Sequence, residues 1–135
     1  MRAVLDTNVV VSGTMTSHGT CSRILEVLTE GMFEICADDR ILDEYDSVLR
    51  RPELDIDPRV TISILELIRS TALLVAAPPL AMKLPDPDDL AFLEVAAAAE
   101  AVLVTGNLRH FPRPARCGVA VITPREFLAV LGHSA

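Results

Sequence analysis

Short apolar runs alternate with longer segments of helical periodicity along this chain, and the alternation leaves few folds open. Strands separated by helices pair side by side in parallel, because each helix returns the chain to the same edge of the sheet. The pattern therefore predicts one α/β domain with a central, mostly parallel sheet flanked by helices on both faces. The five predicted strands are residues 3–5, 32–37, 72–77, 101–106 and 119–122.

The predicted helices begin and end at recognisable residues. Gly31 can cap the end of the first one. Asp-Pro pairs stand where two others begin. Thr123 and Glu126 have the spacing of a capping box, with a proline at the first helical position. The helices predicted from these signals and from apolar periodicity are residues 21–29, 38–51, 55–70, 85–100 and 123–131.

Length and composition set the outer limits. The 135 residues suit a single domain over residues 1–132, with a frayed C-terminus at 133–135. No apolar run approaches the roughly 20 residues of a membrane helix, so we expect a soluble, cytoplasmic protein without membrane contact. Three distant cysteines indicate neither a disulfide framework nor a zinc site. The net charge of −7 argues against a broad basic surface for nucleic acid, but allows an enzyme that grips a short piece of it.

Polar residues stand where the predicted strands end. Asp6 follows the first strand, Thr105 and Asn107 follow the fourth, and Asp89 lies near the start of the helix that leads into the fourth. Ligands of open parallel sheets bind at the carboxyl ends of the strands. If the first and fourth strands are neighbours, Asp6 and Asn107 come together. Carboxylates gathered at such an edge can bind Mg²⁺ or Mn²⁺, which take oxygen ligands.

Simpler roles remain open for the same residues. Asp6 and Asn107 could be turn residues, and Asp86 could only cap its helix. Asp89 could only interact with the helix dipole. On the helix at 38–51, Glu44 and Asp46 lie at opposite edges of the apolar stripe. Helical spacing does not choose between these two, and both could simply be solvated.

Four segments together resemble PIN-domain proteins, most closely the VapC-like toxins of bacterial and archaeal toxin–antitoxin modules. They are VLDTNVVVSG, ILDEYDSVLRRPEL, LPDPDDLAFLEVAAAAEAVLVTGNLRHFP and VITPREFL, and they span nearly the whole chain in order. The resemblance implies an α/β fold, an acidic cluster that binds Mg²⁺ or Mn²⁺, and cleavage of RNA. It also implies a homodimer and a protein antitoxin as partner.

Position by position, the family's acids match Asp6, Glu44 and Asp89, with Asn8 in the small polar place beside the first. The resemblance thus selects Glu44, which helical spacing leaves undecided. It implies that Asp6 and Asp89 are the principal metal ligands. Glu44 would hold a water on the metal or act as the base that orients it.

The fourth family position departs from the pattern. Many PIN nucleases carry an aspartate two residues after the strand-ending threonine, whereas here Asn107 follows Thr105 at that distance. Asparagine can accept a hydrogen bond or orient a water, but it brings no charge. Thr105 and Asn107 would position the network, and a second metal site is weakened more than a first.

An acidic ribonuclease still needs cationic contacts to RNA. Arg109, Arg113 and Arg116 in the loop after the fourth strand are candidate phosphate contacts, with Asn8 as a further polar one. Phe111 in the same loop could stack on a base or belong to the core.

Two other classes of function compete with the ribonuclease. The first is a PIN-fold binding module that is weakly active or inactive, for which Asn107 is the main argument. The second, less favoured, is a phosphatase of the haloacid-dehalogenase kind, whose first strand also ends in an aspartate. That family favours a second aspartate where Asn8 stands, and Lys83, the sole lysine, has no suitable place.

Overall fold

A computed structural model describes residues 1–132; the predicted frayed C-terminus, 133–135, lies outside the described residues. None of the helices within 1–132 is long and apolar enough to cross a bilayer. The strands are β1 (Arg2–Leu5), β2 (Glu34–Ala37), β3 (Leu73–Leu74), β4 (Val102–Val104) and β5 (Val121–Ile122). The helices are α1 (Thr7–Met15), α2 (Thr20–Thr29), α3 (Asp39–Leu49), α4 (Pro58–Thr71), α5 (Leu90–Ala99) and α6 (Pro124–Val130).

All five strands form one parallel sheet in the order β3-β2-β1-β4-β5. The predicted fold class is therefore confirmed, and β1 and β4 are neighbours. Leu5 is level with Val104 in this pair, so both strands end at the same height. Whatever follows these two residues meets at one edge of the sheet.

The order of the strands places helices on both faces. The chain moves from β1 through β2 to β3 in one direction, then crosses back over β1 to reach β4. Since parallel crossovers are right-handed, reversing the direction puts the returning helix on the opposite face. That helix is α5, which packs against β1, β2 and β4.

Several element boundaries differ from the sequence prediction. The strand predicted at 72–77 pairs only over Leu73–Leu74, and the helix predicted at 85–100 begins as a 3₁₀ turn, Pro87–Asp89. The apolar run at residues 9–11 lies inside α1, which sequence periodicity did not reveal. Here α1 packs tightly on α2: a Cβ at Gly13 would stand 2.7 Å from the Cys21 carbonyl oxygen. Tertiary packing, rather than an amphipathic stripe, thus explains this helix.

The core is aliphatic, with a few fully buried rings that include Tyr45 and Phe111. The burial of Phe111 decides between its two alternatives: the side chain belongs to the core and offers no stacking surface. The Tyr45 hydroxyl donates a hydrogen bond to the Leu5 carbonyl oxygen, and burial raises the Tyr45 pKa well above its usual range. This bond ties α3 to the end of β1, directly before Asp6.

Candidate active site

Asp6 occupies the junction between β1 and α1. Its backbone N–H donates to the Val104 carbonyl oxygen at 2.9 Å, which joins it to the end of β4. The side chain makes no capping hydrogen bond to α1. Instead, its Oδ2 accepts from the Thr105 hydroxyl at 2.8 Å and from Asn8 Nδ2 at 3.3 Å. Burial raises the Asp6 pKa, and the Thr105 bond partly offsets that effect. Because the Asp6 carboxylate is buried and does not cap α1, the role of a simple turn residue does not describe it.

Glu44 approaches the same edge from α3. Its carboxylate accepts a hydrogen bond from the hydroxyl of Thr7, the residue after Asp6. Burial raises the Glu44 pKa despite that bond, and the charge of Asp6 raises it further. Asp46 instead pairs with Arg50 and with Arg69, the latter at 3.5 Å. The two acids that helical spacing left undecided thus have different environments, and only Glu44 contacts the segment after β1.

Asp89 enters from the 3₁₀ turn before α5. It is buried, with 8% of its surface exposed, and its Oδ2 has no hydrogen-bond partner. Nδ1 of His110 lies 3.3 Å from this oxygen. Burial raises the Asp89 pKa to about 6, and the Asp6 charge adds to this effect. By contrast, Asp86 is exposed and accepts a hydrogen bond from the Asp88 N–H at 2.9 Å, so it caps the turn.

The segment after β4 closes the network. Thr105 is fully buried, and its hydroxyl oxygen accepts from the Asn107 N–H at 3.0 Å while its hydrogen goes to Asp6. The Asn107 side chain caps the 3₁₀ turn Leu108–His110 by accepting from the Arg109 N–H at 3.2 Å. Asn8 accepts from the Gly106 N–H at 3.0 Å. Thr105 and Asn8 therefore each connect the segment after β4 with the segment after β1, whereas Asn107 organises its own loop.

The structure thus brings Asp6, Glu44 and Asp89 to one edge, where the charge of Asp6 raises the pKa of both other acids and the charge of Glu44 raises that of Asp89. Burial is the largest cause of all three raised pKa values, so the fold disfavours the ionised carboxylates. The orphaned Asp89 Oδ2 fits a cation, which would stabilise the ionised form. No three His, Cys, Asp or Glu side chains of residues 1–132 have the spacing of a formed metal cluster. Carboxylate oxygens are the ligands that Mg²⁺ takes in proteins, where it usually keeps several waters.

A cavity of about 480 Å³ adjoins Glu44 and is lined also by Arg40, Pro87, Asp88 and Glu94. Glu94 is buried on α5; it accepts from Arg40 Nη1 at 2.7 Å and from the Leu80 N–H at 2.7 Å. This pairing fixes the segment after β3 beside the site, and the sequence patterns did not predict it. The available signal was one acid in an otherwise apolar helix, since such a residue needs a partner when it is buried.

The arginines of the loop after β4 fall into two kinds. Arg109 and Arg113 are exposed and form no ion pair with any other residue of 1–132. The Arg116 guanidinium donates from Nε to the Phe111 carbonyl oxygen at 2.8 Å, so it holds the loop together. RNA contact remains a prediction for all three and for Asn8.

Comparison with known proteins agrees with the PIN resemblance of the sequence. The family model for the PIN domain matches residues 2–109. No curated protein sequence matches the chain. Among solved structures, a chain of VapBC2 from Rickettsia felis, bound to a DNA fragment from their promoter, is similar to it. That chain has 18% identity and a TM-score of 0.61, and the alignment covers 91% of this chain and 98% of that one. The PIN resemblance of the sequence is thereby confirmed: the chain belongs to the PIN domain family, whose members are in general nucleases.

Proposed function

We propose that this protein is a metal-dependent endoribonuclease that hydrolyses RNA phosphodiesters, acting as the toxin of a toxin–antitoxin module. The observation that carries the proposal is the meeting of Asp6, Glu44 and Asp89 at the carboxyl edge of the sheet, with one buried oxygen of Asp89 unpaired. Carboxylates whose pKa values are raised by burial at such an edge are of use to an enzyme that binds Mg²⁺ or Mn²⁺.

The mechanism assigns a task to each residue of the site. Asp6 and Asp89 would hold the ion, which when bound supplies Lewis-acid stabilisation of the charge that develops on the phosphodiester. The Thr105 hydroxyl orients Asp6, and the Thr7 hydroxyl orients Glu44. Glu44 accepts the proton of the attacking water, a task for which its raised pKa suits it. Because Asn107 is uncharged, the site holds one carboxylate fewer for any second ion.

Incubation with a mixed RNA pool tests this function directly. With Mn²⁺ or Mg²⁺ we expect endonucleolytic fragments, and with excess EDTA we expect none. The Asp6→Asn protein, purified in parallel, controls for contaminating nucleases. Intact RNA in every condition, together with no Mn²⁺ binding in calorimetry, would support the inactive binding module instead. Release of phosphate from small phosphomonoesters would favour the phosphatase.

The exposed arginines give a second test, of RNA binding. We expect the Arg109→Ala, Arg113→Ala double variant to bind single-stranded RNA with a weaker dependence on salt. Each lost phosphate contact should reduce the slope of log affinity against log salt by about 0.7 to 1. Filter binding of the Asp6→Asn background between low and moderate salt measures this slope without cleavage. The Arg59→Ala variant, whose arginine pairs with Asp57 at the start of α4, should keep the parent slope. An unchanged slope in the double variant would contradict RNA contact by this loop.

The partner proposals follow from family and fold. The similar solved structure contains VapBC2 from Rickettsia felis, which supports a protein antitoxin as the partner of this chain. We also propose that residues 1–132 act as one domain, that the protein works in the cytoplasm, and that it forms a homodimer. Size-exclusion chromatography with light scattering tests the last of these.

A further inference from the structure

His110 lies between Asp89 and Asn107, two residues of the candidate site. Its Nδ1 is 3.3 Å from Asp89 Oδ2, and its Nε2 is 3.0 Å from Asn107 Nδ2. The ring stands in the 3₁₀ turn Leu108–His110 and is partly exposed. One imidazole thus joins a candidate metal ligand to the residue that replaces the family's fourth acid.

The orientation of the Asn107 amide follows from its other contact. Asn107 Oδ1 accepts a hydrogen bond from the Arg109 N–H at 3.2 Å. A backbone N–H can only donate, so the atom facing it must be the amide oxygen. The amide nitrogen therefore faces His110, and its N–H is directed at Nε2.

The amide orientation in turn selects the imidazole tautomer. Since Asn107 Nδ2 donates, Nε2 of the neutral ring must accept, and the ring hydrogen must be on Nδ1. Nδ1 faces Asp89 Oδ2, the buried oxygen without a hydrogen-bond partner. The present geometry stops short of a hydrogen bond, but the separation of 3.3 Å is close to the usual N–H···O range.

We propose that Asn107 and His110 form a positioning pair: the Asn107 amide fixes the Nδ1–H tautomer of His110, which directs its N–H at Asp89 Oδ2 and orients that carboxylate. The inference rests on the proposed function in taking Asp89 as a metal ligand. Partners that orient a ligating carboxylate contribute substantially to metal affinity. In this role Asn107 acts together with His110 in the site, and its presence is not a sign of lost activity.

An aspartate at position 107 would reverse the tautomer. A carboxylate has no hydrogen to donate, so it favours an N–H on His110 Nε2. The neutral ring would then present a lone pair, rather than a donor, to Asp89 Oδ2. The proposed Nδ1–H tautomer of His110 thus requires an asparagine, rather than an aspartate, at position 107.

The tautomer is measurable without metal or RNA. Long-range ¹H–¹⁵N correlation spectra at about pH 8.5, in EDTA, report which nitrogen of each imidazole carries hydrogen. We expect Nδ1–H for His110 in the wild type and Nε2–H in the Asn107→Asp variant. The exposed His18 should give the same spectrum in both proteins and serves as the internal reference.

Metal affinity supplies the second measurement. Loss of such a partner typically weakens binding about 10- to 100-fold, so we expect His110→Ala to lower Mn²⁺ affinity by at least about 10-fold in calorimetry. His110→Gln keeps a donor on a side chain of similar length and should recover part of the loss. Both proteins should keep the wild-type circular dichroism spectrum.

Three results would each overturn the proposal: an Nε2–H tautomer in the wild type, an unchanged tautomer in Asn107→Asp, or unaltered Mn²⁺ affinity in His110→Ala. The spectra decide on the tautomer whether or not the protein cuts RNA. Failure of the pair can therefore be distinguished from failure of the ribonuclease proposal, which the cleavage assay judges alone.

Discussion

The Asp89→Asn variant is expected to lose RNA cleavage by about 100-fold or more, while its metal-free fold becomes more stable. Loss of cleavage follows because metal stabilisation of transition-state charge is worth several kcal/mol, and each 1.36 kcal/mol or so is a factor of ten in rate. The gain in stability follows because the wild-type carboxylate is buried near Asp6 with one oxygen unpaired. A variant that loses cleavage but gains stability would indicate that the Asp89 charge serves the reaction and is unfavourable for the fold.

The raised Asp89 pKa determines how the stability of the metal-free protein changes with pH. The Asp89 pKa is about 6 in the folded protein, against an ordinary value of 3.8. Between these values the folded protein holds a proton that the unfolded chain has released. The free energy of unfolding of the metal-free protein therefore falls as pH rises from about 4 to about 6. The pKa difference corresponds to about 3 kcal/mol at most, and this cost is complete only above about pH 7, once the folded carboxyl is ionised.

Urea unfolding in EDTA measures the difference. We expect Asp89→Asn to exceed the wild type by about 1 to 3 kcal/mol at pH 7.5, with the difference vanishing towards pH 4. Added Mn²⁺ should stabilise the wild type and leave the variant unchanged. The Asp43→Asn variant, which removes an exposed charge from the same helix as Glu44, should match the wild type in both assays. Equal stability of Asp89→Asn and wild type at pH 7.5, or full cleavage by the variant, would contradict the assigned role.

The sheet and the candidate acids were accessible from the sequence because their signals are local. Alternating short apolar runs and helices determine a parallel sheet, and Asp6 stands directly at a strand end. Thr123 and Glu126 form the capping box that their spacing indicates. The choice of Glu44 over Asp46 depended on family resemblance, since helical spacing alone treats both acids alike.

The features that were missed depend on contacts distant in the chain. Burial of the run at residues 9–11 follows from the close approach of α1 to α2, which no local period encodes. Likewise, Glu94 pairs with an arginine 54 residues away, and His110, which follows β4 in the chain, lies beside Asp89, which precedes β4. Local patterns and the family resemblance thus indicated the acids and Thr105, whereas the contacts of Glu94 and His110 required coordinates.

Phe111→Ala is expected to destabilise the protein by about 3 to 5 kcal/mol, the usual cost of removing a fully buried phenylalanine ring. The ring anchors the loop between the turns Leu108–His110 and Arg113–Ala115, and its carbonyl oxygen binds the Arg116 guanidinium. RNA cleavage should therefore fall as well, because the anchor also holds His110 in place.

Two matched variants separate this anchoring from a role in base stacking. Phe111→Leu keeps most of the apolar volume and should cost less than about 1.5 kcal/mol. Leu108→Ala removes an exposed side chain from the same loop and should change stability by no more than about 0.5 kcal/mol. Urea unfolding of the three variants ranks them. If Phe111→Ala instead kept wild-type stability and lost only RNA affinity, the ring would be a base-stacking surface, and the loop would owe its position to some other contact. We expect the opposite, since a side chain with no exposed surface has no face to offer a base.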